Sequence, residues 1–238
     1  MSYLQFLSEH GPTLLLGTVT TIKVFICSLA LYIIISMIFG LMRLSKNLLV
    51  QGLATVYIEF FRGTSLLVQL FWAYYVLPFF GLSLEAFAAG VLTLGMNFGA
   101  YGAEVVRAGI LAVPKGQWEA AHALNFTPAK RIRRIIIPQI FPIILPPASN
   151  LTVELLKATS LVALVTVVDL TFEARQINSA IEEGLRLAEE NSIKGKDVTP
   201  FILAHVVKST SNSSLQANLA LVENNARVGA EIAKSYGA

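Results

Sequence analysis

The sequence predicts an all-α membrane protein: a bundle of about four spanning helices followed by a helical tail of soluble type. Two observations carry this. The 238 residues are 55% hydrophobic and only 14% charged, with a mean hydropathy of +0.64, where a soluble domain carries about 25% charged residues. The charge is also unevenly placed. Residues 1–179 hold 20 of the 33 Asp, Glu, Lys and Arg residues and residues 180–238 hold 13, so charge density about doubles near residue 180. That shift marks a candidate boundary between a membrane domain, 1–179, and a more charged helical tail, 180–238.

A helix needs about 20 apolar residues to cross the hydrocarbon core. Uncharged runs cover 24–42 (19 residues), 63–84 (22), 86–103 (18) and 135–153 (19). With their flanks they predict spans over about 13–42, 55–80, 84–112 and 135–156. A further run, 158–168, has 11 residues; it is too short to cross and reads as a re-entrant or interfacial segment. No short leader with a small-residue cleavage site opens the chain, and the first run is long enough to stay as an uncleaved span. Arg43 and Lys46 follow the first span, and Lys115, Lys130, Arg131, Arg133 and Arg134 follow the third. Residues 1–22 and 79–84 hold no basic residue. The excess of Lys and Arg marks the cytoplasmic side, so the N-terminus lies outside and the loop 114–138 lies inside.

Each span has its own signature. In the third, Gly95 and Gly99 form a G-x-x-x-G pair, whose small residues allow close helix approach within one bundle or at a dimer face. The fourth holds Pro138, Pro142, Pro146 and Pro147. Prolines interrupt the helical ladder, so this segment is either a broken helix lining a pathway or an irregular helix starting near 138. Glu59 and Arg62, Glu104 and Arg107, and Glu154 and Lys157 are each three apart on one helix face. These pairs at the ends of apolar runs either snorkel and pair structurally or serve a translocation pathway or gate. The lone cysteine, Cys27, makes no intrachain disulfide and no metal cluster. A net charge of +3 offers no case for a nucleic-acid partner.

Residues 117–128, QWEAAHALNFTP, interrupt the apolar pattern. Gln117 to Leu124 are good helix formers behind Pro114. Asn125 suits the left-handed residue that ends a helix. Thr127 then serves as N-cap and Pro128 as first residue of a second helix, about 128–137. The unit is a compact knob of Trp118, Ala120 and Ala121 with one charge, Glu119. It is shaped for docking, or it is an amphipathic connector held on anionic lipid.

This stretch closely resembles the EAA loop of ABC-importer permeases: E-A-A, three residues, Gly, nine residues, Ile, one residue, Leu-Pro. The chain has Glu119-Ala120-Ala121, Asn125, Ile135 and Ile137-Pro138 at matching spacing, with Asn for Gly and Ile for Leu. The segments TTIKVF (20–25), EFFRGTSLLVQLFW (59–72), GAYGAEVVRAGILAVPKGQWEAA (99–121) and LLKATSLVALVTVVDL (155–170) resemble polar-amino-acid permeases of the histidine/glutamine type. The resemblance implies a type I ABC-importer permease helix bundle in a bacterial cytoplasmic (inner) membrane. It implies an ATPase-docking loop of Trp118, Glu119, Ala120, Ala121, Asn125, Ile135 and Pro138. Its implied partners are an ABC ATPase subunit dimer, a second permease subunit (identical or paralogous), an extracytoplasmic amino-acid-binding protein and the lipid bilayer. ATP and Mg would sit on the ATPase. This chain has no G-x-x-x-x-G-K-[ST] phosphate loop, so no cofactor of its own is expected.

Permeases of this type end in one more span, whereas no run of 18 uncharged apolar residues follows residue 179 here. Residues 180–190 read as an acidic amphipathic helix, Thr199 as an N-cap before Pro200, and 215–236 as a helix on a soluble core. GKDVTPFILAHV (195–206) and SLQANLALVENNARVGAEIA (214–233) resemble the C-terminal end of pseudouridine-5′-phosphate glycosidase. The family's catalytic groups belong to upstream parts absent here, and Asn218 is the one match to a base-pocket residue, expected to be vestigial. The chain therefore reads as a permease lacking its last span, fused to a glycosidase-like fragment. Two alternatives stand beside a transport subunit: a glycosidase fragment on a truncated permease, or a non-transporting membrane scaffold.

Overall fold

The computed structural model describes residues 3–210, and among these the regular structure is helical, with no strand. The chain divides into two compact units, Thr21–Val167 and a second made of Met1–Thr20 with Val168–Ala238. Helix α1, Tyr3–Met42, contributes to both.

The first unit continues with α2 (Leu48–Gly63), α3 (Leu66–Phe71), α4 (Ala86–Ala112), α5 (Lys115–Ala123), α6 (Pro128–Arg131) and α7 (Ile137–Ala158). Gly11–Met42 and Pro128–Val165 are long and apolar enough to cross a membrane, and Leu48–Gly63 with Leu66–Phe80 makes a third if that pair, bent by 103°, is one span. Helix α4 buries small and polar residues at its contacts: Gly90, Thr93, Gly95, Asn97, Gly99, Gly102 and Gly109 are all buried. It packs against α2, α3 and α7, over a core that includes Val24, Leu70, Leu94, Phe98, Leu155 and Val162.

Gly95 and Gly99 face α1 within the same chain. A Cβ on Gly95 would lie 2.6 Å from Leu31 Cδ2, and one on Gly102 would run into Ser36 Oγ and the Tyr32 ring. Ser36 Oγ donates to Tyr32 O (2.6 Å) and reaches Gly99 O at 3.3 Å. The reciprocal contact is Gly40, where a Cβ would meet the Ala103 carbonyl oxygen at 2.8 Å. Backbone cannot swing aside as a side chain does, so Gly40→Leu is expected to destabilise the unit by about 1–3 kcal/mol. A lower melting temperature of the full chain in detergent checks this; an unchanged one would remove Gly40 from the α1–α4 contact.

The break between α2 and α3 is closed by buried amides. Asn97 Nδ2 donates to Phe61 O (3.0 Å) and Gln69 Oε1 (3.1 Å), and Gln69 Nε2 donates to Phe61 O (3.0 Å) and Thr64 Oγ1 (2.6 Å). Carbonyls left open where α2 ends are thereby satisfied away from water.

Prolines shape the ladder in a repeated way. Widened π turns occupy Trp72–Val76 and Ile132–Ile136, and each ends two residues before a proline, Pro78 and Pro138. In both, the N–H just before the proline reaches five residues back, Leu77 to Trp72 O and Ile137 to Ile132 O. A proline has no N–H and crowds the carbonyl four residues earlier, and the shifted register relieves both. Beyond it α7 runs on through Pro142, Pro146 and Pro147. The proline-rich segment is therefore an irregular but continuous helix. The short run after it is a 3₁₀ turn, Thr159–Val165, that prolongs α7.

In the second unit, Asp169 caps α8 (Leu170–Glu190), its Oδ1 accepting from Phe172 N at 2.8 Å. Burial pushes the Asp169 carboxyl up from its usual range, opposed by hydrogen bonds from Phe172 N–H and the Thr171 side chain. Gly17 leaves room for this cap: a Cβ there would lie 3.0 Å from Asp169 O. The helix expected over 180–190 is the second half of α8. It ends on Ser192 at φ 57°, with Ile193 N donating to Ala188 O at 2.8 Å. Helix α9, Val198–Thr210, packs on α8 where Gly184 admits His205 and Ile202. Thr199 is not an N-cap; a 3₁₀ turn, Gly195–Asp197, leads into α9 and leaves Thr199 inside it. Asn218 and the helix expected over 215–236 lie outside the described residues.

Candidate functional site

The loop between α4 and α7 is built by local chemistry. Helix α5 closes with two bonds around a left-handed residue: Asn125 sits at φ 53°, its N–H donating to His122 O (2.9 Å) while Phe126 N donates to Ala121 O (3.2 Å). This paired closure is the glycine-type helix stop, and asparagine tolerates it. Thr127 Oγ1 then accepts from Lys130 N at 3.4 Å and Pro128 opens α6. Turn and cap thus agree with the sequence reading.

Tertiary contacts set which face the loop presents. Ala121 is fully buried and Ile136 is 1% exposed. Trp118 and Ile135 are half-buried, while Glu119, Ala120, Leu124 and Pro138 are exposed. Gln139 Nε2 donates to Gln117 Oε1 (3.3 Å), tying α5 to the foot of α7. Arg131 Nη2 lies 3.1 Å from His122 Nδ1, and the Lys130 ammonium sits 4.7 Å from the centre of the Phe126 ring. The loop is a braced elbow with Glu119 and Ala120 turned outward. His122, Phe126 and Gln139 were not legible as braces, because each pairs with a residue on a different element of the loop.

The charged pairs part ways. Glu104 and Arg107 pair as their spacing suggests, Arg107 Nη2 to Glu104 Oε2 at 2.9 Å. Glu59 turns instead to Arg43, 3.4 Å away, and Arg43 Nε also lies 3.5 Å from Glu104 Oε1. Arg43, just past the end of α1, thereby bridges α2 and α4. Arg62 makes no ion pair among the described residues; its guanidinium lies 5.4 Å from the Tyr101 ring centre. Glu154 and Lys157 are exposed and form no ion pair among the described residues. Arg43, Glu59, Glu104 and Arg107 thus form one charged cluster between α1, α2 and α4. No group of three or more His, Cys, Asp or Glu side chains is placed to hold a metal ion among the described residues.

Known proteins share most of this chain. A Sinorhizobium fredii protein named as a probable amino-acid ABC transporter permease is 46% identical over 173 residues, covering 70% of this chain and 73% of the relative. The chain belongs to the amino-acid ABC transporter permeases. The L-cystine transport system permease of Bacillus subtilis is 40% identical to this permease, over 71% of the chain and 72% of the relative. A crystal structure of an amino acid ABC transporter with histidines matches with a TM-score of 0.65 and 33% identity, over 94% of this chain and 99% of that one. The MetNI methionine transporter, inward facing, shares the fold at a TM-score of 0.50 and 16% identity. The permease also matches the family of the Indigoidine synthase A like protein over residues 149–235. That match fits the glycosidase-like tail, and it begins earlier than the compositional shift at 180, inside α7.

Proposed function

We propose that this permease is the membrane subunit of an ATP-driven importer of polar amino acids, coupled to a separate ATPase through loop 114–138. What carries the reading is the braced elbow: Asn125 completes the helix stop at φ 53°, so Glu119 and Ala120 project from a rigid unit. A rigid knob transmits a push or pull that a flexible loop would absorb. ATP and Mg belong on the ATPase dimer in this reading. The spans over about 13–42, 55–80, 84–112 and 135–156 cross the inner membrane from an outside N-terminus. A second permease subunit completes the pathway, and an extracytoplasmic binding protein delivers the amino acid. The test is capture. The full chain, tagged and co-expressed with the ATPase of an amino-acid importer, should retain that ATPase through detergent purification. No retention would sink the docking role.

A second reading has its own observation. Helix α8 carries Glu173, Arg175, Glu182, Glu183, Arg186, Glu189 and Glu190 within 21 residues. A helix so charged is a poor membrane span, and α8 begins where relatives would need one more crossing. We therefore infer a permease-type subunit that docks an ATPase and does not transport. The glycosidase-like tail, whose matched segment includes Asn218, is proposed to be catalytically inert.

A further inference from the structure

We propose that Arg133 and Arg134 form the headgroup end of an anionic-phospholipid site at the foot of the span Pro128–Val165. The loop's four consecutive-turn cations are not equivalent. Lys130 is held over the Phe126 ring at 4.7 Å, and Arg131 lies 3.1 Å from His122 Nδ1 and 3.5 Å from Phe126 O. Arg133 and Arg134 are exposed and have no partner among the described residues. No acidic residue occurs between Glu119 and Glu154, so this part of the chain offers them none.

Directly along the same helix run exposed apolar side chains. Ile137 (51% exposed), Phe141 (63%) and Leu145 (49%) recur every four residues from Arg133, which places them on one face. The stripe offers the Arg133 guanidinium at one end, with Arg134 on the adjoining flank of the helix, and about two turns of hydrocarbon above. Those are the two halves of one phospholipid: guanidinium pairs bind phosphate oxygens in a forked geometry, and the apolar face accepts acyl chains. A free phosphate would use the cations alone. A soluble ATPase could reach the arginines but not the hydrocarbon part, which belongs to a span. The site lies on the leaflet that the positive-inside pattern makes cytoplasmic, where anionic lipid attracts basic side chains.

The test uses the full chain purified in a neutral detergent, with phosphatidylglycerol and phosphatidylcholine offered separately and bound lipid counted by native mass spectrometry. The wild type should retain phosphatidylglycerol in roughly tenfold preference or better, each arginine contributing about fivefold. Arg133→Gln with Arg134→Gln should lose that preference, and Arg133→Lys with Arg134→Lys should keep most of it. Unchanged retention in the glutamine pair overturns the proposal. So does displacement of the lipid by millimolar inorganic phosphate, which would mark a plain phosphate site. Lost capture of the ATPase or of a second permease copy, with lipid retention intact, also overturns it by assigning the arginines to a protein contact. A glutamine pair that no longer folds is replaced by the single variants, judged by the same lipid count.

Discussion

Glu119→Lys is expected to weaken capture of the ATPase subunit at least tenfold, about 1.4 kcal/mol, while leaving the permease folded. Glu119 is exposed on α5 and makes no ion pair within the described residues, so its reversal removes no internal bond. Both residues are good helix formers, which keeps α5 intact. A charge reversed at a docking face turns an attraction into a repulsion, and such losses usually exceed those of simple truncation. The measurement is co-purification at fixed ATPase concentration, with the melting temperature as the control for folding. Capture equal to wild type would place the docking face elsewhere. This readout is independent of whether the chain transports.

The second large effect concerns uptake. Reconstituted with ATPase and binding protein, the chain is expected to import no amino acid above background, at least tenfold below a complete relative. The cause is α8. A charged residue near the bilayer centre costs about 2.5–3.5 kcal/mol, and α8 carries seven charged residues spread along its 21. The expectation rests on the proposal above that α8 does not insert and that the chain lacks the last span of a transporting permease. Replacing the residues after Asp169 with the last span of a relative should restore uptake. Wild-type uptake at the relative's rate would show that the bundle works without that helix. If the chimera stays inactive although the ATPase is still captured, the defect lies within 1–169 and not in the tail.

Much of loop 114–138 was legible because its bonds are short in sequence. The helix stop at Asn125, the Thr127 cap and the start at Pro128 all involve groups within five residues of one another. Residue type alone limits such geometry: few side chains tolerate positive φ, and few can cap. The proline-rich span was less legible. Its four prolines predicted disruption, yet the ladder widens only before Pro138 and then runs on through Pro142, Pro146 and Pro147. Neighbouring turns and side chains absorb the rest, and composition does not show that in advance.

Charges mark the same division. Spacing alone put Glu59 with Arg62, but helix packing brings Arg43 to 3.4 Å from Glu59 and 3.5 Å from Glu104. A neighbour three residues away competes with any cation that another helix delivers, and only the packed structure says which arrives. Gly95 and Gly99 were readable as close-contact residues, while their partners, Leu31 and Ile35, came from the tertiary arrangement. By itself the sequence determined the membrane class and the loop's helix stop and cap, because composition and bonds within one turn decide these. Only the tertiary structure decided that Ala121 turns inward while Glu119 and Ala120 face out, and that Arg43 bridges α2 and α4. Those outcomes depend on which surfaces meet across the chain, and hydrophobic burial, being non-directional, leaves that choice to the whole fold.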